Sequence, residues 1–203
     1  MIGVIDIGIS NIGSVLNMFK YVGHEAKAIS NANELEECEK IVLPGVGSFD
    51  KGMAKLFSSG LIDTLNKRVV EDKVPVLGIC LGMQLMCLSS EEGRSPGLGW
   101  IDATVRDFRK SETPPKKTPH MGWNNVNIKK SIALTADIVS ESRFYFVHSY
   151  YVDCNNSTDA FLTTNYGIDF VSAFQVENIM GVQFHPEKSH IFGAAMFRSF
   201  GSM

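Results

Sequence analysis

The sequence predicts an α/β protein with a mixed, mainly parallel central sheet flanked by helices, and an additional antiparallel sheet portion in its C-terminal half. Through the first half of the chain, short apolar runs alternate with segments of helical periodicity. This alternation is typical of a parallel sheet covered on both faces. From about Gly97 onward, short strand-like segments follow one another with turns between them, which is typical of antiparallel pairing.

The N-terminal half begins with an apolar run at 2–7, which we interpret as a buried strand. A helix should follow, because Ile12, Val15 and Phe19 recur at helical spacing, and Gly23 should end it. The next elements of this half are, in order, strands at 24–29 and 40–43 and helices at 50–57 and 61–72.

The apolar run from Val74 to Ile79 predicts the central strand, which leads directly into Cys80 and then into a helical pattern at 81–88. Gly78 and Gly82 flank the cysteine, as expected for a turn so tight that a side chain at either position would collide with its neighbours. This is the cysteine version of a nucleophile elbow, which exposes the sulfur at the end of the sheet. A buried structural cysteine is the alternative, and the flanking glycines argue against it.

In the C-terminal half, the segment 110–119 is polar and proline-rich and is expected to be a surface loop. A final helix is predicted at 191–200. Alternating or apolar segments predict the strands of this half, at 100–108, 126–128, 144–152, 160–165, 170–174 and 179–184.

The composition excludes several classes of function. The chain has 203 residues and a net charge of −3, so no strong attraction to nucleic acid or to an anionic membrane is expected. No apolar run reaches the length of a membrane span, and Met1–Asp6 lacks the features of a signal peptide. A reducing cytoplasm is the simplest setting, because neither metal-type pairing nor a dense disulfide framework is seen among the four cysteines: Cys38, Cys80, Cys87 and Cys154.

A cysteine nucleophile needs a base and a group that orients the base. His185 ends a predicted strand and should therefore project at the same sheet edge as Cys80, and Glu187 follows it after the rigid Pro186. His148 is a rival base, ranked lower because no carboxylate follows it closely. His120, predicted in a turn before a strand, could either order a loop or bind a ligand.

The glycine-rich loop after the third strand, Pro44–Phe49, is weak evidence for a phosphate cradle, because it lacks both a Gly-x-Gly-x-x-Gly pattern and a Gly-Lys-Ser/Thr ending. It could instead direct backbone N–H groups at a developing oxyanion, or be a plain tight turn.

Three segments together resemble the class I, triad-type glutamine amidotransferases. Within that class, the chain is similar to the glutaminase subunits of imidazole glycerol phosphate synthase, the HisH family. The segments that carry the wider resemblance are Leu43–Gly47, Gly78–Gln84 and Gly181–Glu187, and those that carry the narrower one are Pro119–Asn124, Tyr145–Tyr150 and Lys188–Ser189.

The resemblance implies a flavodoxin-like fold and a single glutamine amidotransferase type 1 domain over residues 1–203. It implies a catalytic triad of Cys80, His185 and Glu187, with no metal and no cofactor. Cys80 would attack the glutamine side-chain amide to form a thioester, and His185 would pass the thiol proton to the departing ammonia. The oxyanion hole would use Leu81 together with Val46 and Gly47.

The resemblance further implies the residues that hold L-glutamine: Gly45, Gln84, Glu92, His148, Ser149 and Tyr150. The expected partner is a cyclase subunit of the HisF type, a (β/α)8 barrel, in a heterodimer. Ammonia would pass through that barrel to yield imidazole glycerol phosphate and an aminoimidazole carboxamide ribotide (AICAR) in histidine biosynthesis. The positions expected to face this partner are Asn11, Trp123, Tyr145 and Lys188.

Val46 adds a hypothesis about regulation. Valine prefers extended backbone, so the loop could rest with a carbonyl facing the oxyanion site until the partner and its ligand select the flipped peptide.

Three alternatives stay open at this point. A related glutaminase could supply ammonia for amidation of a surface-polysaccharide sugar, since the triad is the same in both. The other two are a non-catalytic partner-binding subunit and a cysteine peptidase of similar fold.

Overall fold

The computed structural model describes residues 1–139 and 141–203. Its α-helices are α1 (Ile12–Tyr21), α2 (Ala32–Glu36), α3 (Phe49–Ser58), α4 (Ile62–Asn66), α5 (Leu81–Leu85) and α6 (His190–Ser202). A π-helical turn, Lys67–Glu71, continues α4. Short 3-10 turns lie at Phe108–Lys110, Ala133–Thr135, Ser157–Asp159 and Pro186–Lys188.

The β-strands follow the same chain order. They are β1 (Ile2–Ile5), β2 (Ala26–Ile29), β3 (Lys40–Gly45), β4 (Val76–Cys80), β5 (Ser89–Ser90), β6 (Ala103–Asp107), β7 (His120–Asn125), β8 (Asn127–Ile128), β9 (Arg143–His148), β10 (Tyr150–Cys154), β11 (Ala160–Tyr166), β12 (Ile168–Val176) and β13 (Ile179–Val182).

A large mixed sheet forms the centre of the molecule, in the order β2-β1-β3-β4-β13-β12-β10-β6-β5, with β11 paired to β12 and β8 paired to β11. The five strands from β2 to β13 are parallel to their neighbours. From β12 onward the pairs are antiparallel, except for the β5–β6 pair. The predicted fold class, including the antiparallel portion of the C-terminal half, is confirmed.

A second, smaller sheet consists of β7 and β9, which pair antiparallel from His120 opposite His148 to Asn125 opposite Arg143. The sequence predicted one strand over 144–152, and this was wrong. The chain leaves the small sheet at His148 and enters the large sheet at Tyr150, with Ser149 between them. Alternation of apolar residues continues through the break, so the pattern cannot reveal the change of sheet.

Helices cover both faces of the large sheet, and a separate apolar core lies under each layer. Side chains of α2, α3, α4 and α5 join one core, whereas those of α1 and α6 join the other. In the second core the rings of Phe19 and Phe197 meet edge to face with centroids 4.7 Å apart. Aromatic pairs of this geometry add about 0.5–1.5 kcal/mol beyond the area that they bury.

Local signals explain where the helices begin and end. The Asn11 side chain accepts a hydrogen bond from Ser14 N and caps α1, and Gly23, with φ of 85°, follows the end of that helix. Helix α2 was not predicted, although Asn31 caps it through Glu34 N at 3.0 Å. Helix α5 was predicted over 81–88 but ends at Leu85, and Leu88 lies outside it and is 44% exposed.

The turn at the end of β4 packs against neighbouring backbone, as the flanking glycines predicted. A Cβ atom on Gly82 would lie 1.7 Å from the carbonyl oxygen of Leu43 in β3. A Cβ atom on Gly78 would lie 2.8 Å from the backbone N and Cα atoms of Met83. Because the obstructing atoms belong to the main chain, they cannot move aside without distorting the sheet.

Within the described ranges, no helix combines the length and apolar character that a membrane crossing requires.

The close approach of Gly82 to Leu43 predicts that a side chain at position 82 destabilises the protein, whereas one at an exposed glycine does not. Gly82→Ala should lower the free energy of unfolding by at least about 2 kcal/mol, because the new methyl group overlaps the Leu43 carbonyl. The exposed Gly13 in α1 is the matched control, since its nearest neighbour would be 3.7 Å away. Gly13→Ala should raise stability by about 0.5–1 kcal/mol. Urea unfolding of both variants would check this, and equal effects would contradict the packing argument.

Candidate active site

Cys80 lies at the junction of β4 and α5 in a backbone conformation that side chains rarely adopt, with φ of 54° and ψ of −109°. Such geometry costs of the order of 1–3 kcal/mol and persists only where the surrounding packing enforces it. The parallel strands β3 and β13 on either side of β4 and the close approach of Gly82 to Leu43 provide that packing. The turn presents the Cys80 side chain at the carboxyl edge of the parallel strands, where ligands bind in such sheets.

His185 and Glu187 form a buried pair next to this edge. The Nδ1 atom of His185 lies 2.7 Å from Oε1 of Glu187, and both side chains are almost completely buried, with exposures of 2% and 6%. Since the carboxylate accepts, Nδ1 carries a proton and Nε2 is left for other chemistry. Among the described residues, none lies in hydrogen-bonding geometry with Nε2 of His185. The ring lines the same cavity as Cys80.

The surroundings of His185 favour its charged form. Burial alone would lower the pKa of this imidazole, but the interactions with the Cys80 thiol and with the Glu187 carboxylate outweigh it and raise the pKa to about 10. These two interactions favour the imidazolium form of His185 beside Cys80. A neighbouring positive charge favours thiolate over thiol, so this arrangement can activate a sulfur nucleophile and hold a proton for a leaving group.

The cavity at Cys80 has a volume of about 320 Å³, which suits a small molecule. Of the residues expected to hold glutamine, Gly45 alone does not line it. Pro119 and Val147 line it without having been predicted. The full lining consists of Val46, Gly47, Cys80, Leu81, Gln84, Glu92, Pro119, Val147, His148, Ser149, Tyr150 and His185.

The loop expected to complete an oxyanion hole does not present the Val46 N–H group to the cavity. That N–H donates instead to the carbonyl oxygen of Ile9, at 2.7 Å. In a trans peptide the carbonyl points opposite to the N–H, so the Gly45 carbonyl faces away from Ile9. In this conformation the Ile9 carbonyl already accepts from the Val46 N–H, as the hypothesis of a resting loop expects. The part of Val46 and Gly47 in an oxyanion hole stays a prediction.

Comparisons with known proteins show the family to which the chain belongs. The family model described as glutamine amidotransferase class-I matches residues 3–201. The chain is 49% identical to imidazole glycerol phosphate synthase subunit HisH 2 of Pseudomonas aeruginosa, covering 98% of each chain. It is 44% identical to subunit HisH of Leptospira borgpetersenii, covering 100% of each. The chain belongs to the class I glutamine amidotransferases, and within them to the HisH family.

A solved structure described as glutamine amidotransferase shares the fold of this HisH-family chain. Its TM-score is 0.77 at 16% identity, with 100% of this chain and 99% of the other covered. The family makes the chain a glutaminase, which argues against the inert subunit and the peptidase of similar fold. The sugar-amidating alternative finds no support in these relatives.

His148 cannot act as the rival base. Burial lowers the pKa of His148 to about 3, with a small opposing effect from its hydrogen bond to the Tyr150 carbonyl. Its Nδ1 atom lies 2.7 Å from that carbonyl oxygen, and its Nε2 atom lies 3.0 Å from Nδ1 of His120. With both ring nitrogens occupied, His148 can shape the pocket but has no free nitrogen for a ligand.

His120 was predicted in a turn, and the structure places it at the start of β7 instead. Its ring is buried between Phe146 and Tyr166, with centroids 4.6 Å and 4.0 Å away. Burial lowers the pKa of His120 to about 4. The imidazole therefore orders the strands around the pocket rather than meeting a ligand.

Gln84 and Glu92 lie at the pocket as expected. The Gln84 amide nitrogen is 3.3 Å from the Tyr150 carbonyl and 3.0 Å from Oε1 of Gln183, which leaves its own oxygen directed elsewhere. Glu92 accepts from Phe49 N at 2.8 Å, and burial raises the pKa of its carboxyl group.

The residues expected to face a partner lie on one side of the molecule. Trp123 is 44% exposed, stacks on His190 at 5.4 Å and meets Tyr145 edge-on at 6.3 Å. The Lys188 ammonium group lies 6.0 Å from the centre of the Tyr145 ring. Asn11 and Lys188 also line a small cavity of about 20 Å³. The other residues that line it are Ser10, Val15, Pro44, Gly45, Val46, Ile79, His185 and Glu187.

The backbone strain at Cys80 predicts an unusual order of stabilities. Cys80→Gly should be more stable than Cys80→Ala by about 1–2 kcal/mol, because only glycine adopts a φ of 54° without strain. At the exposed Lys55 in α3 the order should be the usual one for a helix, with Lys55→Ala more stable than Lys55→Gly by about 1 kcal/mol. Thermal or urea unfolding of the four variants would measure this, and alanine proving better at both positions would refute the strain.

Glu187 should control the protonation of His185. Glu187→Gln keeps a hydrogen-bond acceptor but removes the negative charge, so the pKa of His185 should fall by at least about one unit. Glu177→Gln is the control, because Glu177 forms an exposed ion pair with Lys73. NMR titration of the imidazole nitrogens of His185 would report the change, and an unaltered titration in the first variant would show that the carboxylate does not hold the charge.

Proposed function

We propose that Cys80, His185 and Glu187 are the catalytic residues of this glutaminase. The Cys80 thiolate would attack the side-chain amide carbon of glutamine. The His185 imidazolium would give its proton to the departing ammonia, leaving a thioester on the sulfur. Neutral His185 would then take a proton from the water that hydrolyses the thioester. The observation that carries this proposal is the buried His185–Glu187 bond of 2.7 Å at the cavity that contains Cys80.

The cavity offers complementary groups to the amino-acid end of glutamine. Glu92 places a carboxylate and Gln84 an amide oxygen at the cavity, and both can accept from an α-ammonium group. Ser149 and Tyr150 contribute the segment between the two sheets. Because both nitrogens of His148 are already bonded, this residue would affect glutamine binding only indirectly, by positioning Ser149 and Tyr150. Gly45 would affect it by shaping the loop 44–49.

The oxyanion hole would form only after the loop changes conformation. The N–H of Leu81, directly after the nucleophile, is one donor, and Gly47 lines the cavity beside it. The second donor would be the N–H of Val46, after rotation of the peptide away from Ile9. A hydrogen bond of 2.7 Å must break for this to happen, so glutamine hydrolysis should be slow until another interaction favours the rotated state.

The partner that favours this state would be a cyclase subunit of the HisF type, a (β/α)8 barrel. The names of the relatives, which are synthase subunits, support a heterodimer. The face with Trp123, Tyr145 and Lys188 would contact the barrel. Asn11 and Lys188 line one small cavity together with His185 and Glu187. Ammonia would cross there into the barrel, where imidazole glycerol phosphate and AICAR would be produced. The cytoplasm is the expected setting, because four free cysteines suit a reducing compartment.

Glutamate release from glutamine should be very slow for the chain alone. It should rise at least about 100-fold when a cyclase of this type and its ribotide ligand are added, a population shift within the usual range of coupling energies. Cys80→Ala should abolish the release, whereas Cys154→Ala, which alters a half-buried thiol on β10, should leave it unchanged.

High turnover without a partner would contradict the regulatory part of the proposal. Absence of stimulation, with Cys80 still alkylated by the glutamine analogue diazo-oxo-norleucine, would contradict the choice of partner and would favour a sugar-amidating acceptor.

A further inference from the structure

Gln183 is a completely buried amide next to the nucleophile, and no role in the site has been assigned to it so far. It follows the last residue of β13, two positions before His185, and its exposure is 0%. Burying a primary amide is costly unless its polar atoms are bonded. Its oxygen lies 3.0 Å from the amide nitrogen of Gln84, and its nitrogen lies 3.7 Å from the sulfur of Cys80.

The orientation of this amide follows from the chemistry of its neighbours. The carbonyl oxygen of Tyr150 can only accept, and the amide group of Gln84 therefore turns its nitrogen to it, at 3.3 Å. The same nitrogen has a second hydrogen, which requires an acceptor, and Oε1 of Gln183 is that acceptor. With its oxygen bound to Gln84, Gln183 must direct its N–H group at the sulfur of Cys80.

A chain of one-way hydrogen bonds fixes the Tyr150 carbonyl from its other side. Nδ1 of His148 donates to it, so Nε2 of His148 accepts from Nδ1 of His120 at 3.0 Å. Nε2 of His120 then accepts from the Asn124 amide at 3.2 Å. Both histidines stay neutral because burial lowers the pKa of each to about 3 and about 4. The chain is therefore unaffected by pH in the neutral range.

We propose that Gln183 donates a hydrogen bond to the sulfur of Cys80 and stabilises its thiolate, with the donor held in place by Gln84 and Tyr150. The inference rests on the proposed role of Cys80 as the nucleophile. Hydrogen bonds to a charged acceptor are the strong ones, and a donor in the protein interior is not weakened by competing water. The thiolate would thus face a charged partner, His185, and a neutral donor, Gln183.

The proposal concerns a charge, so the other ionisable groups around the sulfur matter. The cavity wall carries His148, His185, Glu92 and Tyr150, and Glu187 lies behind His185. Substitution of Gln183 removes none of these ionisable groups. A changed titration of Cys80 in such a variant would therefore report the lost donor.

The experiment is the pH dependence of Cys80 alkylation by iodoacetamide, followed by peptide mass spectrometry. Gln183→Met keeps the length of the side chain and removes the N–H. The alkylation midpoint of Cys80 should rise by about one pH unit. The other thiols provide little background, since burial raises the pKa of Cys38, Cys87 and Cys154, the last to about 12.

Gln175→Met is the matched control. Gln175 lies on the neighbouring strand β12, and its amide donates to the Glu177 carbonyl at 2.9 Å, away from the cavity. The midpoint in this variant should equal that of the wild type. A folded Gln183→Met variant with an unshifted midpoint would overturn the proposal.

A second measurement needs no substitution in Gln183. In the wild-type protein, the side-chain amide resonances of Gln183 should shift with the same midpoint as Cys80 alkylation. Amide resonances that stay constant through that titration would overturn the proposal even if Gln183→Met fails to fold. Wild-type Cys80 that reacts no faster than Cys154 at neutral pH would instead overturn the role of Cys80 itself, so the two failures are distinguishable.

Discussion

The tight turn at Cys80 is the constraint on which the rest of the structure depends. A residue with φ of 54° keeps its conformation only if the backbone on both sides is held, and here β3, β13 and the backbone near Gly82 hold it. The parallel sheet supplies this support because β4 is an interior strand, with a parallel neighbour on each side. The strain placed on one residue is thus balanced by many ordinary interactions in the surrounding sheet.

Much of the fold follows from the sequence, for a physical reason. Buried parallel strands such as 41–43 and 76–80 are apolar, and glycine is required where backbones meet closely, as at Gly78 and Gly82. Helix α2 was missed because five residues carry too little periodicity, although the cap at Asn31 is a recognisable signal. The passage of the chain between sheets at Ser149 leaves no trace in the alternation of apolar residues.

Part of the candidate site could likewise be predicted from the sequence, and part could not. The proximity of Cys80, His185 and Glu187 could be predicted, because the nucleophile, base and orienting carboxylate proposed for them would have distinct chemistry and a fixed order. The orientation of the Gly45–Val46 peptide could not, since it depends on the carbonyl of Ile9, which is distant in sequence. A single buried glutamine such as Gln183 has no pattern of its own, and its importance becomes visible only from the atoms around it.

Tyr145 shows how such a protein can diversify. Its carbonyl accepts from the N–H of His185 at 2.9 Å, and its N–H donates to the hydroxyl of Ser189 at 3.0 Å. Both bonds use main-chain atoms of Tyr145, while its ring lies with Trp123 and Lys188 on the outer face. Evolution can therefore exchange the outward side chains, and with them the preferred binding partner, while the inherited main-chain scaffold of His185 is retained.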